Sequence, residues 1–319
     1  MPAGEPDYIF WGGASVIAQP YAATGAQLAS FACQGDEAAI QDLIERTLNA
    51  ATSPGRFQTL LGPGVLVAAL TADAIGSSTP PFSGWGTISE TDIGFWLLVT
   101  DTTVPLSAYW FPVYLFVDNW IALVGGREVW GFPKVLATIT APGGILSGPI
   151  QVSTLALKTH NPATQAAPGE IFSITPEAPM AMKAFRAQGL HGMMLERAED
   201  SALPGWATLL LSRLAAAFAP APPFAADAAT QGAMIFLKQI RDVSSPTAAS
   251  YQAVVAAKAA LIGLPQGIGL LGGGYRLSLA DEASQPIASD LGLPLGDQPL
   301  YPLIWAKMDF TMELGTPVA

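Results

Sequence analysis

The chain predicts a mainly β fold, an α+β arrangement of antiparallel strands with a few helices. Three observations carry that expectation. Apolar and polar residues alternate in part along 150–157 (Ile150, Val152, Leu155, Leu157) and again along 170–175, the period of a half-buried antiparallel strand. Between 95 and 140, short apolar runs are separated by turn residues. Only two segments carry a clear helical period.

Taken in order, residues 36–50 form the first helix: Ala39, Ile40, Leu43, Ile44, Thr47 and Leu48 recur on one face, and Glu37, Asp42 and Glu45 face away. Asp36 is placed to cap it, and Pro54 and Gly55 end it. Residues 64–72 read as a strand and 77–86, rich in Ser, Thr, Pro and Gly, as a loop. Three strands follow at 95–100, 113–124 and 135–140. A second helix at 206–218 offers Leu209, Leu210, Leu214 and Phe218 for packing, and the Pro-rich 219–224 stops it. It sits within 180–229, which reads as a helical insertion or cap on a single domain spanning 1–319. Further strands are expected at 233–240, 251–264, 275–279 and 300–314. Gly272-Gly273-Gly274 precedes a strand instead of opening a helix, so it reads as a tight turn and not as a phosphate loop.

Charge and composition exclude several functions. With 14 basic against 25 acidic residues and a net charge of -11, the chain offers no phosphate footprint for nucleic acid and no basic face for an anionic membrane. Only 12% of residues are charged and mean hydropathy is +0.38, which points to subunit interfaces and hence a homo-oligomer. The apolar stretch 9–33 is interrupted by Gly12, Gly13, Gln19, Pro20 and Gln27, and the N-terminus lacks a basic start. A cytoplasmic location is therefore expected. Cys33 is the single cysteine, and the two histidines, His160 and His191, have no metal-ligand spacing, so no metal or disulfide is expected.

The most informative stretch is 118–134, Asp-Asn-Trp-Ile-Ala-Leu-Val-Gly-Gly-Arg-Glu-Val-Trp-Gly-Phe-Pro-Lys. It puts Lys134 at the junction of two strand-like segments among Trp130, Phe132 and Val135. One reading is a strand-end lysine whose stem lies on apolar surface while its head reaches water. The other is a lysine buried enough to lose its proton and become a nucleophile for carbonyl carbon.

The pattern Gly-Arg-Glu-x-x-Gly-Phe-Pro-Lys, preceded by Val-Asp-Asn, resembles the signature of the acetoacetate decarboxylase family, in which the lysine after the proline forms a Schiff base with substrate. Looser matches follow in the same order at 233–240, Ala257-Lys258, 275–283 and 304–310. The resemblance implies a cone-like β-barrel with additional sheet and a few helices, oligomeric assembly, and no metal or organic cofactor. It implies Lys134 as nucleophile and Glu90, in Thr87-Ile-Ser-Glu90, as the carboxylate that positions substrate and moves protons. The activity it implies is that of a Schiff-base lyase on a small keto acid or other carbonyl compound, by decarboxylation or by aldol addition and dehydration. Phe116, Trp130 and Phe132 are candidates for the substrate wall, and Arg276, with Arg56, for an anion contact. Arg127 is expected to pair with Glu128 or another carboxylate.

The chain departs from the family at three places: Val135 replaces a second lysine, no arginine stands around Ala26-Gln27-Leu28, and no glutamate around Val67-Ala68-Ala69. Those losses motivate an alternative, a non-catalytic binder of small molecules on the same barrel.

Overall fold

A computed structural model describes residues 7–9, 17–177, 182–185, 203–218 and 232–318. Its first strand, β1 (Tyr21–Gln34), is two-sided: Phe31 and Cys33 face one core while Ala32 faces another, as period-two geometry requires. Helix α1 (Glu37–Ile44) follows and runs on as a π-helical turn over Glu45–Asn49. The Asp36 side chain accepts from the Ala39 amide at 2.9 Å, the cap the sequence predicts. Strands β2 (Phe57–Thr59), β3 (Gly64–Ser77), β4 (Ile88–Asp101) and β5 (Tyr109–Val117) come next, then helix α2 (Trp120–Val129). Short strands β6 (Lys134–Leu136) and β7 (Thr138–Thr140) lead to β8 (Ile150–Ala156), β9 (Ala167–Pro176) and β10 (Met182–Phe185). Helix α3 (Gly205–Phe218) precedes β11 (Ala233–Arg241), β12 (Ala249–Leu261), β13 (Gly267–Leu271) and β14 (Tyr275–Leu279). The short helix α4 (Ile287–Leu291), β15 (Gly296–Met312) and β16 (Thr316–Pro317) end the order.

The fold is mainly β, as expected. Among the described residues, β12, β11, β5, β4, β3, β1 and β15 pair in that order, and a β12–β15 pairing closes them into a ring. A second sheet, β7-β8-β9-β14, joins the ring through the first residues of β15. The expectation of antiparallel pairing holds for most of these ladders, including β4–β5, but β5 runs parallel to β6 and to β11. The reason at β6 is α2, a helical crossover that returns the chain in the same direction.

Two layers of core follow from the alternation. Val67, Phe95 and Phe116 point away from the ring toward the second sheet, where the Phe172 ring lies 5.2 Å from Phe95 and 5.5 Å from Phe116. Ala26, Leu66 and Leu98 belong to the other face, which α3 covers with Leu210, Leu211, Leu214 and Phe218. Leu209, expected to pack, is 44% exposed, because it sits just outside the arc that those residues define.

Several boundaries differ from the sequence expectation. The strand expected over 113–124 stops at Val117, and the apolar run beyond it is α2. Continuous apolarity hides the period there, and the cap decides: Asn119 accepts from the amides of Ile121 and Ala122. The strand expected over 135–140 breaks at Ala137, so that β6 pairs within the ring and β7 within the second sheet. Strand β13 and helix α4 fall where none is expected. The glycine triplet is the turn between β13 and β14, with Gly273 at φ +91°. Most of the span 180–229 lies outside the described residues; inside it are β10, which pairs with β13, and α3. Among the described residues no helix is long and apolar enough to cross a membrane.

A buried ion pair ties β2 to the end of β4. Arg56 donates to Asp101 Oδ2 through Nε (3.1 Å) and Nη2 (2.9 Å), and Thr103 donates to Oδ1 through its amide and hydroxyl. Burial alone would raise the Asp101 carboxyl, but the bonds from Arg56 and Thr103 outweigh it and hold it below the ordinary range. Its stabilising contribution is therefore present above the unfolded value, about pH 4, and is lost as pH falls through the folded value. Asp101→Asn is expected to cost roughly 3–5 kcal/mol at pH 7, with the gap to wild type narrowing near pH 3, as measured by urea denaturation at both pH values.

Candidate active site

The segment 118–134 builds a site in which each residue type has a local task. Asp118 and Asn119 clasp the start of β4: Asp118 Oδ1 accepts from the Thr91 amide at 2.8 Å, and Asn119 Nδ2 donates to the Ser89 carbonyl at 2.8 Å. Glu90 is the residue between them. Helix α2 then carries Gly126 past the stem of Lys134, where a Cβ on Gly126 would lie 2.8 Å from Lys134 Cδ. The Gly126 carbonyl accepts from the amides of Trp130, Gly131 and Phe132, closing the helix end. Gly131 has φ +94° and lies against the Lys238 backbone, where a Cβ would come to 2.6 Å of its Cα, so no other residue fits. Arg127 Nη1 donates to the Lys134 carbonyl at 3.1 Å. This corrects the expectation that Arg127 pairs with Glu128.

The product of these constraints is a buried ion pair. Lys134 is 5% and Glu90 7% exposed, and Lys134 Nζ donates to Glu90 Oε1. The Lys134 ammonium also lies 5.4 Å from the centroid of the Phe132 ring. Both groups face a cavity of about 210 Å³ inside the ring, lined mostly by apolar side chains such as Leu70, Met234, Leu261, Met308, Phe310 and Met312. On the far side of the pair is a much smaller space, about 20 Å³, against Ile17, Ile88, Ile121 and Trp130.

Three further polar side chains reach the large cavity: Tyr21, Asp92 and Trp96. Burial, and then the charge of Glu90, push the Asp92 carboxyl well above its ordinary value, so that it holds its proton more tightly than a solvated aspartate. The same two causes push the Tyr21 phenol upward. Trp96 Nε1 is buried without a hydrogen-bond partner among the described residues.

The structure brings Lys134, Glu90 and Phe132 together. Trp130 sits behind them, facing the small space, with its ring 5.1 Å from Tyr21 and its indole donating to the Glu313 carbonyl at 3.1 Å. Phe116 is fully buried in the core between the ring and the second sheet, because odd and even residues of β5 face opposite sides. Arg276 lies on β14 in the second sheet, 41% exposed and paired with Glu177 and Asp297, each at 3.6 Å. Neither Phe116 nor Arg276 lines the cavity. Arg56 is committed to Asp101. Asp92 is not among the residues the sequence singles out, although a strand period makes it legible: Glu90 and Asp92 are two apart and share one face of β4. Tyr21 and the C-terminal wall on β15 carried no local signal. Among the described residues no group of three or more His, Cys, Asp or Glu side chains is arranged to hold a metal ion.

Comparison with known proteins converges on one family. Residues 26–148, which carry both Glu90 and Lys134, match the acetoacetate decarboxylase model. No curated protein matches the chain. Among solved structures, an acetoacetate decarboxylase from Legionella pneumophila subsp. pneumophila str. Philadelphia 1 is similar at 17% identity and TM-score 0.57, over 100% of this chain and 92% of that one. An acetoacetate decarboxylase-like enzyme from Sphingomonas wittichii RW1 is similar at 12% identity and TM-score 0.56, over 98% of each chain. The enduracididine biosynthesis enzyme MppR, in complex with the condensation product of pyruvate and imidazole 4-carboxaldehyde, is similar at 10% identity and TM-score 0.54, over 96% of this chain and 92% of that one. At these identities the structural likeness concerns the fold. From the two stretches at which the resemblance implies an arginine and a further glutamate, 26–28 and 67–69, this chain lines the cavity with Leu28 and Ala68.

The close approach of α2 to Lys134 is directly testable. An exposed helical Gly→Ala change is worth roughly 0.5–1 kcal/mol of stabilisation. Gly126→Ala is expected instead to destabilise by about 1–3 kcal/mol in chemical denaturation, because the new methyl must displace the lysine stem from a packed site.

Proposed function

We propose that the chain is a divergent member of the acetoacetate decarboxylase family, whose model matches residues 26–148, and that it is a Schiff-base lyase acting on a small carbonyl compound, with Lys134 as nucleophile and Glu90 as its proton partner. The observation that carries this reading is the buried contact between the Lys134 amine and the Glu90 carboxylate, opening onto an apolar cavity. Glu90 takes a proton from the ammonium, and the freed lone pair attacks the carbonyl carbon. The resulting carbinolamine loses its oxygen as water. Of the three ammonium protons, two leave in that water and one stays on nitrogen, so the product is an iminium cation. It remains beside Glu90 as the ammonium was, and the low-dielectric wall preserves that attraction.

The iminium then accepts an electron pair from a neighbouring carbon. Loss of carbon dioxide from a β-carboxylate, or loss of a proton from the α-carbon to a base, gives an enamine. In the first case the carbon is reprotonated; in the second it attacks an aldehyde, and the adduct loses water. Glu90, and Asp92 with its carboxyl raised by burial and by the charge of Glu90, are the groups lining the cavity suited to those transfers. The MppR complex with a condensation product of pyruvate and an aldehyde supports the second branch as chemistry this fold can hold. The same reading takes residues 1–319 as one domain with 180–229 as a cap, assembled as a homo-oligomer in the cytoplasm and using neither metal nor organic cofactor.

A second reading, a binder without turnover, is favoured by Leu28 and Ala68 in the wall and by the closed ion pair. Reductive trapping separates the two. With cyanoborohydride and a panel of small ketones, aldehydes and keto acids, mass is expected to be fixed on Lys134 and to disappear in Lys134→Arg; a panel that leaves Lys134 unmodified favours the binder. Glu90→Gln is expected to slow trapping by about 10²- to 10⁴-fold while Lys134 remains the labelled residue, read by peptide mass spectrometry.

A further inference from the structure

Within the cavity the charge of Lys134 is already balanced by Glu90 before any ligand arrives. The Lys134 ammonium faces the Glu90 carboxylate, and the other titratable carboxyl of the described wall, Asp92, stands on the same face of β4. An iminium formed with an uncharged carbonyl compound keeps that balance, since one cation replaces another opposite Glu90. A ligand carboxylate would add a negative charge among Leu28, Ala68, Leu70 and Met308, close to Glu90 and Asp92, in a wall too apolar to screen it. The described wall also includes a residue, Trp96, with a buried donor that has no acceptor. Trp96 Nε1 is buried and unpartnered, whereas the indole of nearby Trp130 reaches the Glu313 carbonyl. Buried indole N–H groups ordinarily find a partner.

Resting on the Schiff-base reading for its chemistry, we propose that the cavity takes an uncharged, largely apolar ketone or aldehyde, and that Trp96 is a positioning residue whose indole N–H donates to an oxygen of that ligand. An uncharged substrate carries no carboxylate to expel as carbon dioxide, so the enamine forms by loss of an α-proton and goes on to aldol-type bond formation or, in reverse, cleavage. The proton lost from carbon passes to Glu90 and returns from it when the iminium is regenerated, so no external oxidant or reductant enters the cycle.

The test compares probes on the wild-type protein. Hexan-2-one and benzaldehyde are set against acetoacetate and pyruvate in cyanoborohydride trapping at Lys134, each rate divided by that of N-acetyl-lysine in solution. The uncharged probes are expected to label at least about tenfold faster; keto acids that label as fast or faster overturn the proposal while leaving the Schiff-base reading intact. Calorimetric binding of hexan-2-one against hexanoate runs in parallel. Binding of the ketone in preference to the carboxylate without labelling upholds the cavity assignment and overturns the Schiff base; absence of both binding and labelling by the uncharged probes overturns the proposal. Trp96→Phe keeps the ring and removes the N–H. It is expected to weaken hexan-2-one about five- to tenfold. Its affinity for 2-methylhex-1-ene, the isostere without an oxygen, is expected to stay within twofold of wild type. An equal loss for both probes, or none for the ketone, overturns the role of Trp96.

Discussion

The pairing of Lys134 with Glu90 is the contact on which the rest of the site depends. Two ionised side chains held at 5% and 7% exposure are costly unless each is the other's partner, and removing one strands the other. The surrounding structure is arranged to make that partnership close. Asp118 and Asn119 clasp the backbone on either side of Glu90, and Gly126 leaves room for the lysine stem. Arg127 holds the Lys134 carbonyl while Gly131 lets the chain turn against β11. A stretch of seventeen residues thus acts as one device, delivering an amine from β6 to a carboxylate on β4 across a helical crossover.

The ring gives this pair its surroundings. Period-two alternation sends one set of side chains outward to meet the second sheet and the other set inward, so that a strand such as β4 supplies core through Ile93, Phe95 and Leu97 and cavity through Asp92 and Trp96. Closure through β12 and β15 brings residues some 170 positions after Lys134, such as Met308 and Met312, into the same wall. Helix α3 adds Phe218 to that wall. The result is a largely apolar chamber with few polar groups, a setting that strengthens electrostatic interactions at the Lys134 amine.

What could be read locally was read well. Asp36 as a helix cap, the glycine triplet as a turn, the strand at 275–279 and the helix ending at Phe218 all rest on signals confined to a few residues, and each is found where expected. The misreadings share a cause. Apart from Asp118 and Asn119, residues 113–124 are apolar or aromatic, so periodicity is silent and the predicted strand runs on across what is a helix. Phe116 and Arg276 have plausible side chains for a substrate wall and an anion contact, but which face of a strand or which sheet a residue occupies is not encoded beside it.

By itself the sequence determined that strands dominate, and the resemblance carried by 118–134 singled out Lys134 and, upstream of that segment, Glu90 as the candidate site residues. Strand content follows from residue chemistry and short-range spacing, which survive in the unfolded chain, and the two candidates follow from what the resemblance implies. Only the tertiary structure decided that the amine meets the carboxylate and that Trp96 and Asp92 share their cavity. It also decided that Leu28 and Ala68 face that cavity. Those facts depend on ring closure and on the register between strands far apart in the chain. A shift of one residue in that register would turn each side chain to the opposite face.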